Sequence, residues 1–435
     1  MNKLLTFILL VQALLSVAQT PDSTFVVTTK PAPYAQRPVK SPIRIDSISC
    51  VKFDSNSITF NGADWSSFFQ MVKTLQDSAH TQPNIVSIAH LGDSHVQAGF
   101  FTEAMRIPMQ MEWGNAGLGL VVPLKICKTN EPKNYRITSS GTWKTGRCVG
   151  KPISHRTGVG GAVIESTAQT LDLTFETKSR YGENVTFNKL TLLHALTDSF
   201  PSLQPVDTLN GLNIQTLVNG ETCYLWDSLT NTISLHGINH NVSSTASIYG
   251  AILENGNSGV LVHTIGNNGA AYESYNRIEN YGTKMASLHP HLVIISLGTN
   301  ESVASTYTRE RLHREMDRLI FSIKKECPDA LFLLTTPSDN KLRRRRKNKK
   351  GRRITYYAQN QNLPHIVDAI KDYGTKNHIA VWDWYTISGG NGAYVTWIKE
   401  GGMNKDHIHY TAKGYALQGT LLYQSILNAY EQHIQ

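Results

Sequence analysis

The chain has 435 residues, 40% of them hydrophobic, enough for a sizeable core in two domains or in one domain with an insertion. Its formal charge of +9 is concentrated in Lys341 to Arg353, where ten of thirteen residues are basic. The remainder is close to neutral, which excludes a nucleic-acid-binding domain and leaves a local anionic partner or plain solubility.

Met1-Asn2-Lys3 is a positive n-region, Leu4 to Leu15 is apolar, and Ser16-Val17-Ala18 offers the small residues that a signal peptidase reads. The apolar run is shorter than the ~20 residues of a spanning helix, so residues 1–18 read as a secretory signal peptide. The expected product is exported, periplasmic or extracellular, without stable membrane insertion. Residues 19–57 are rich in Pro, Ser and Thr and read as a spacer. An exported chain can keep disulfides. Cys127 and Cys148 are the nearest pair in sequence among Cys50, Cys127, Cys148, Cys223 and Cys327. The spacings fit no zinc pattern, and all five read as structural.

Trp65 to Gln76 places Phe68, Phe69, Val72 and Leu75 at helical spacing, and Ile85 to Leu91 reads as a strand. From 113 to 255 the texture changes. Short apolar runs such as "TLDLTF" (170–175), "KLTLLHAL" (189–196) and "ASIYGAIL" (246–253) alternate with turn residues, which predicts an inserted all-β domain of sandwich type. It is expected to wall the cleft, so that its removal hurts polymeric substrates most. Trp143 and Trp226 within it read as core residues before sugar platforms. From 256 to 435 strands and helices alternate: "GVLVHTIG" (259–266), "HLVIISLG" (291–298), a helix over 308–326, "ALFLLTTP" (330–337), a helix over 364–375, "HIAVWDW" (378–384), and a last helix capped by Thr411. Together with residues 58–112 this predicts a three-layer α/β/α domain on a parallel sheet.

The strand ends carry the chemistry, as open α/β sheets require. Ile85–Leu91 runs into Gly92-Asp93-Ser94-His95; the next strands run into Gly266-Asn267-Asn268-Gly269 and Gly298-Thr299-Asn300-Glu301; Asp406-His407-Ile408-His409 precedes the last helix. Ser94 suits a nucleophile, His409 its base, and Asp406 the group that orients the imidazole. The backbone N–H of Ser94, the N–H of Gly269 and the amide of Asn300 can form an oxyanion hole. Asp93, His95 and Glu301 fit supporting hydrogen bonds. Taken singly, Ser94 also reads as a helix N-cap, and Asn300 and Gly269 as turn residues. Gly266 competes with Gly269 for the oxyanion position. Asp406, His407 and His409 lack the further ligands that a metal site would need.

The blocks "GDSH" (92–95), "IGNNGA" (265–270), "LGTNE" (297–301) and "DHIH" (406–409) resemble the GDSL, or SGNH, hydrolase superfamily in content and order, with His95 where Leu is usual. That resemblance places the family's Ser, Gly, Asn, Asp and His on Ser94, Gly269, Asn300, Asp406 and His409. "WGNAGLGLV" (113–121) opening a β-rich insertion is similar to bacterial peptidoglycan O-acetylesterases. The implied activity is hydrolysis of O-acetyl esters on cell-wall glycan, with no metal or organic cofactor. An acetylesterase of xylan or capsule, and a non-catalytic glycan-binding protein, remain open. The basic stretch 341–353 is expected to be a loop without regular structure.

Overall fold

The computed structural model describes residues 41–75, 83–195, 201–239, 244–303, 307–347 and 351–434. The expected signal peptide, residues 1–18, and most of the expected spacer, residues 19–57, lie outside the described residues.

The central sheet has six strands, in the order Ile58–Thr59, Ala380–Trp382, Leu331–Thr335, Leu292–Ser296, Ile85–Gly92, Gly259–Gly266. Five run parallel. The edge pair Ile58–Thr59 with Ala380–Trp382 is antiparallel, so the sheet is mixed rather than wholly parallel. Two residues bracketed by polar turns gave too short a pattern to reveal that edge.

Residues along each central strand alternate between two cores, because successive side chains point to opposite faces. Val293 and Ile295 join Leu312, Met316, Leu319, Ile366 and Ile370 in one cluster; Leu292 and Ile294 join Phe68, Met105, Leu421 and Ile426 in the other. The helices covering the first face are Arg309–Glu326 and Leu363–Lys376. Those covering the second are Ser66–Thr74, Phe100–Trp113 and Ala412–Ile434. Thr308 caps Arg309–Glu326 by accepting from the Arg311 N–H at 3.2 Å. Thr411 does the same for the last helix through the Gly414 N–H at 3.3 Å.

Residues 43–57 are not a spacer. Ile43, Ile48 and Val51 are buried, Ser49 bonds the Glu400 carboxylate, and the Lys52 N–H donates to the Ile387 carbonyl at 2.8 Å. Their Ile/Val content outweighs the polar residues between them once an aromatic wall, Trp384 and Trp397, is there to receive it.

Between Trp113 and Gly259 the chain builds two further sheets. One has seven strands, including Gly117–Val121, Ala162–Ser166, Phe187–His194, Thr222–Thr230 and Ala246–Glu254; the other has four, Tyr135–Thr138, Thr170–Thr177, Leu203–Pro205 and Thr232–Ile238. The buried residues of Thr170–Thr177 are Leu171, Leu173, Phe175 and Thr177, each second position. Leu171, Leu173 and Phe175 share a cluster with Leu190, Leu192, Tyr224 and Ile248 of the larger sheet. The same cluster continues into the α/β layer through Leu91, Leu261 and Ile265. The two parts therefore share one core. Phe175→Ala is expected to cost about 3–5 kcal/mol, read from the chemical denaturation midpoint. Trp226 is a core residue, and the Trp143 indole is held by the Ser139 hydroxyl at 2.7 Å. All five cysteines are free thiols, so the Cys127–Cys148 bridge is not formed.

The basic stretch is not an irregular loop. Lys341–Lys347 pairs antiparallel with Arg353–Gln359. Each arginine from Arg343 to Arg346 faces Tyr357, Tyr356, Thr355 or Ile354 across the ribbon, so these four meet aromatic and β-branched partners, and only the last pair, Lys347 with Arg353, sets cation against cation. Those partners come from "ITYYAQ" downstream, which the charge run conceals.

Candidate active site

The ends of three strands are in register: Gly92 lies opposite Gly266 on one side and Ser296 on the other. That rung fixes the origin of three of the four blocks. No side chain fits at Gly92, where a Cβ would lie 2.3 Å from Val96 Cγ2 and 2.9 Å from the Ser296 carbonyl. The chain then turns into the short helix Ser94–Gln97. Its N-cap is Asp93, whose Oδ1 accepts from the His95 N–H at 2.9 Å. Ser94 is thus the first helical residue, and its N–H has no partner within the helix.

His409 Nε2 lies 2.8 Å from Ser94 Oγ, and His409 Nδ1 lies 2.7 Å from Asp406 Oδ2. The other Asp406 oxygen accepts from the N–H groups of Ile408 and His409, both at 3.0 Å. Burial works against ionisation of Asp406, but these hydrogen bonds outweigh it and bring its pKa down to about 2. The Asp406 hydrogen bond in turn raises His409 above the ordinary histidine value, against the effect of its burial. This relay can withdraw the serine proton and hold the resulting imidazolium.

His95 is buried beneath the relay. Its ring centroid is 5.3 Å from that of His409, its Nδ1 is 3.0 Å from the Tyr415 hydroxyl, and burial lowers its pKa to about 3. A neutral imidazole there adds no charge to compete with protonated His409.

The second block forms a turn closed by the Ala270 N–H on the Asn267 carbonyl at 2.9 Å. Gly269 sits third in that turn with φ of +83°, a position that favours glycine. It is exposed, whereas a Cβ on Gly266 would lie 2.2 Å from the Gln97 backbone nitrogen. Gly266 is a packing glycine, and Gly269 is the exposed one of the two. The Asn300 amide donates to the Ala270 carbonyl at 2.8 Å and to Asp93 Oδ2 at 3.2 Å. Burial raises the Asp93 carboxyl to about 6.

Glu301 stands apart from the cleft. It is fully buried and clamps the N–H groups of Tyr272, at 2.8 Å, and Gly298, at 3.0 Å, tying the second block to the third; burial raises its pKa to about 7. Its role is to hold two turns together.

One organiser escaped the sequence reading. Gln97 Oε1 accepts from the Asn268 N–H at 2.5 Å, and its Nε2 donates to the Asn130 carbonyl at 2.6 Å and to Thr129 Oγ1 at 2.9 Å. It joins the helix of Ser94, the turn of Gly269 and the start of the β-rich part. Asn267 reaches the same part, donating to the Gly160 carbonyl at 3.0 Å. A glutamine inside a GDSH-type block carries no signal of this without the fold.

Among the described residues no group of three or more His, Cys, Asp or Glu side chains could hold a metal ion. No helix of the described residues is long and apolar enough to cross a membrane.

In the order of its central sheet, its aligned strand ends and its four blocks the chain is similar to GDSL-type, or SGNH, acylhydrolases. Residues 227–417 match the model of the GDSL-like Lipase/Acylhydrolase family. That span takes in Gly269, Asn300, Asp406 and His409 and leaves out Ser94, which the β-rich part separates from it. No curated protein matches the chain. Among solved structures, a peptidoglycan O-acetylesterase superposes with a TM-score of 0.64 at 20% identity, covering 86% of this chain and 99% of that one. That coverage is too large for the α/β part alone, so the likeness of fold includes the β-rich part. A lipase/acylhydrolase from Enterococcus faecalis aligns with a TM-score of 0.28 at 19% identity, over 39% of this chain and 76% of its own. An acetyl xylan esterase aligns with a TM-score of 0.30 at 16% identity, over 38% of this chain and 81% of its own.

Proposed function

We propose that the protein is an exported serine esterase that removes O-acetyl groups from cell-wall glycan. The observation that carries this reading is the continuous relay Ser94–His409–Asp406, at 2.8 and 2.7 Å. The likeness of fold to a peptidoglycan O-acetylesterase supports the choice of substrate.

In this mechanism Ser94 Oγ attacks the acetyl carbonyl while His409 Nε2 takes its proton. Asp406 stabilises the imidazolium. The carbonyl oxygen becomes an oxyanion that accepts from the N–H groups of Ser94 and Gly269 and from the Asn300 amide. Collapse breaks the bond to the sugar oxygen, which receives the proton from His409. Water, deprotonated by His409, then attacks the acetyl-enzyme and acetate leaves. No cofactor enters, and acetylated glycan is the only partner required.

His409 must be neutral to act as base, so kcat/KM falls as pH drops through its pKa. The acid limb is expected above the ordinary histidine value, because Asp406 raises that pKa. Asp406→Asn removes the charge that favours imidazolium, so its residual activity should keep to a lower pH. A limb that does not move would show that another group titrates.

The test of the reading is acetate release from O-acetylated peptidoglycan, set beside acetylated xylan. Preference for peptidoglycan, lost in Ser94→Ala, supports it. Preference for xylan would redirect the substrate, and release from neither, nor from an aryl acetate, would leave a glycan-binding protein.

A further inference from the structure

The basic ribbon has no part in the mechanism above, yet it is rooted on the site. The Lys341 N–H donates to the His407 carbonyl at 3.0 Å, and the Tyr357 ring stacks on the His407 ring at 3.9 Å with a 10° tilt. Leu342 is buried at the root. His407 lies between Asp406 and His409, so the ribbon begins against the turn that carries both. From there a seven-residue strand extends about 23 Å.

Arg343, Arg344, Arg345, Arg346, Lys347 and Arg353 are all exposed. No acidic residue occurs between 341 and 359. Among the described residues no ion pair engages these six. The ring of Tyr356 lies 5.2 Å from the Arg346 guanidinium and supports the arm without neutralising it. A solubilising surface needs only scattered charge. Here the cations are gathered on one element with its partner strand, on both faces, with same-face neighbours about 7 Å apart. A two-stranded ribbon is marginally stable alone, and concentrating like charges on it adds cost.

We propose that the strands Lys341–Lys347 and Arg353–Gln359 form a docking arm for carboxylates of the polymer whose ester is presented to Ser94. The inference rests on the esterase reading for its choice of polymer: a glycan with peptide stems carries repeated carboxylates, whereas a nucleic acid offers no acyl ester to this site. The arm supplies the grip and the relay supplies the chemistry.

The experiment uses the full-length Ser94→Ala protein, which cannot turn substrate over, sedimented with purified peptidoglycan sacculi. The sacculi are either untreated or amidated at their carboxylates. Focused charge raises local concentration by 10–10³, so amidation should weaken binding by about tenfold or more at low salt. Binding to untreated sacculi should fall as the Debye length shrinks from roughly 10 Å at 0.1 M to about 3 Å at 1 M salt. Changing Arg343, Arg344, Arg345 and Arg346 together to Thr should match amidation, whereas changing all four to Lys should retain most binding. Equal binding to both kinds of sacculi overturns the proposal. So does a folded Thr variant that binds like its parent, or duplex DNA that displaces the protein better than soluble muropeptides do. If the Thr variant does not fold, the amidated sacculi and the Lys variant still decide. Acetate release by the Ser94 protein from the same sacculi is measured alongside. Its absence would overturn the esterase reading while leaving carboxylate docking established.

Discussion

Ser94→Ala and His409→Ala are each expected to lower kcat by about 10⁴-fold or more, with the fold retained. The relay explains the size of the effect. Without His409 the serine keeps its proton, and without Ser94 there is no atom to accept the acyl group. Because the two act in one step, the double variant should be little worse than either single. Losses that multiply would mean that the residues contribute independently, and the shared mechanism would fall. Stopped-flow measurement with an aryl acetate gives the necessary range.

Asn300→Ala should cost about 10²–10³-fold in kcat, the usual penalty for one lost oxyanion donor, with KM little changed. The amide is held by the Ala270 carbonyl at 2.8 Å and reaches the Asp93 carboxylate at 3.2 Å. The longer contact is the weaker one, so that hydrogen is the one to be redirected to the developing charge. Asn300→Asp keeps the shape but supplies no donor, and it should be at least as damaging. An unchanged rate in Asn300→Ala would remove the residue from the site.

The blocks around Ser94, Gly269, Asn300 and Asp406–His409 were legible because each joins an apolar run to residues that no core requires. Their meeting also follows from parallel strands, whose carboxyl ends lie on one side. Three things were hidden. The antiparallel edge Ile58–Thr59 is only two residues long, below any reliable pattern. Residues 43–57 are packed by partners far along the chain, which local composition does not report. The ribbon was masked by its own charge: ten cations suggest repulsion, and the tyrosines and Ile354 that stabilise the pairing come after them. Gln97 shows the same limit within the site, since its bonds to Thr129, Asn130 and Asn268 depend on tertiary placement.

The strand Ile85–Gly92 sits between Leu292–Ser296 and Gly259–Gly266. Both neighbours lie beyond the β-rich part in the chain. When Gly92 leaves the ribosome or a translocation channel, neither flank of this apolar strand has a partner. At ~5–20 residues per second the wait for Gly259 lasts on the order of ten seconds. For that interval two unpaired backbone edges stand open to other chains. The central sheet therefore cannot close around Ile85–Gly92 until the β-rich part has been made, and the load on chaperones is expected to fall in that interval. A circular permutant that joins the native termini and begins at Gly259 would bring these strands together early. During cell-free translation it should give less aggregate than the natural order.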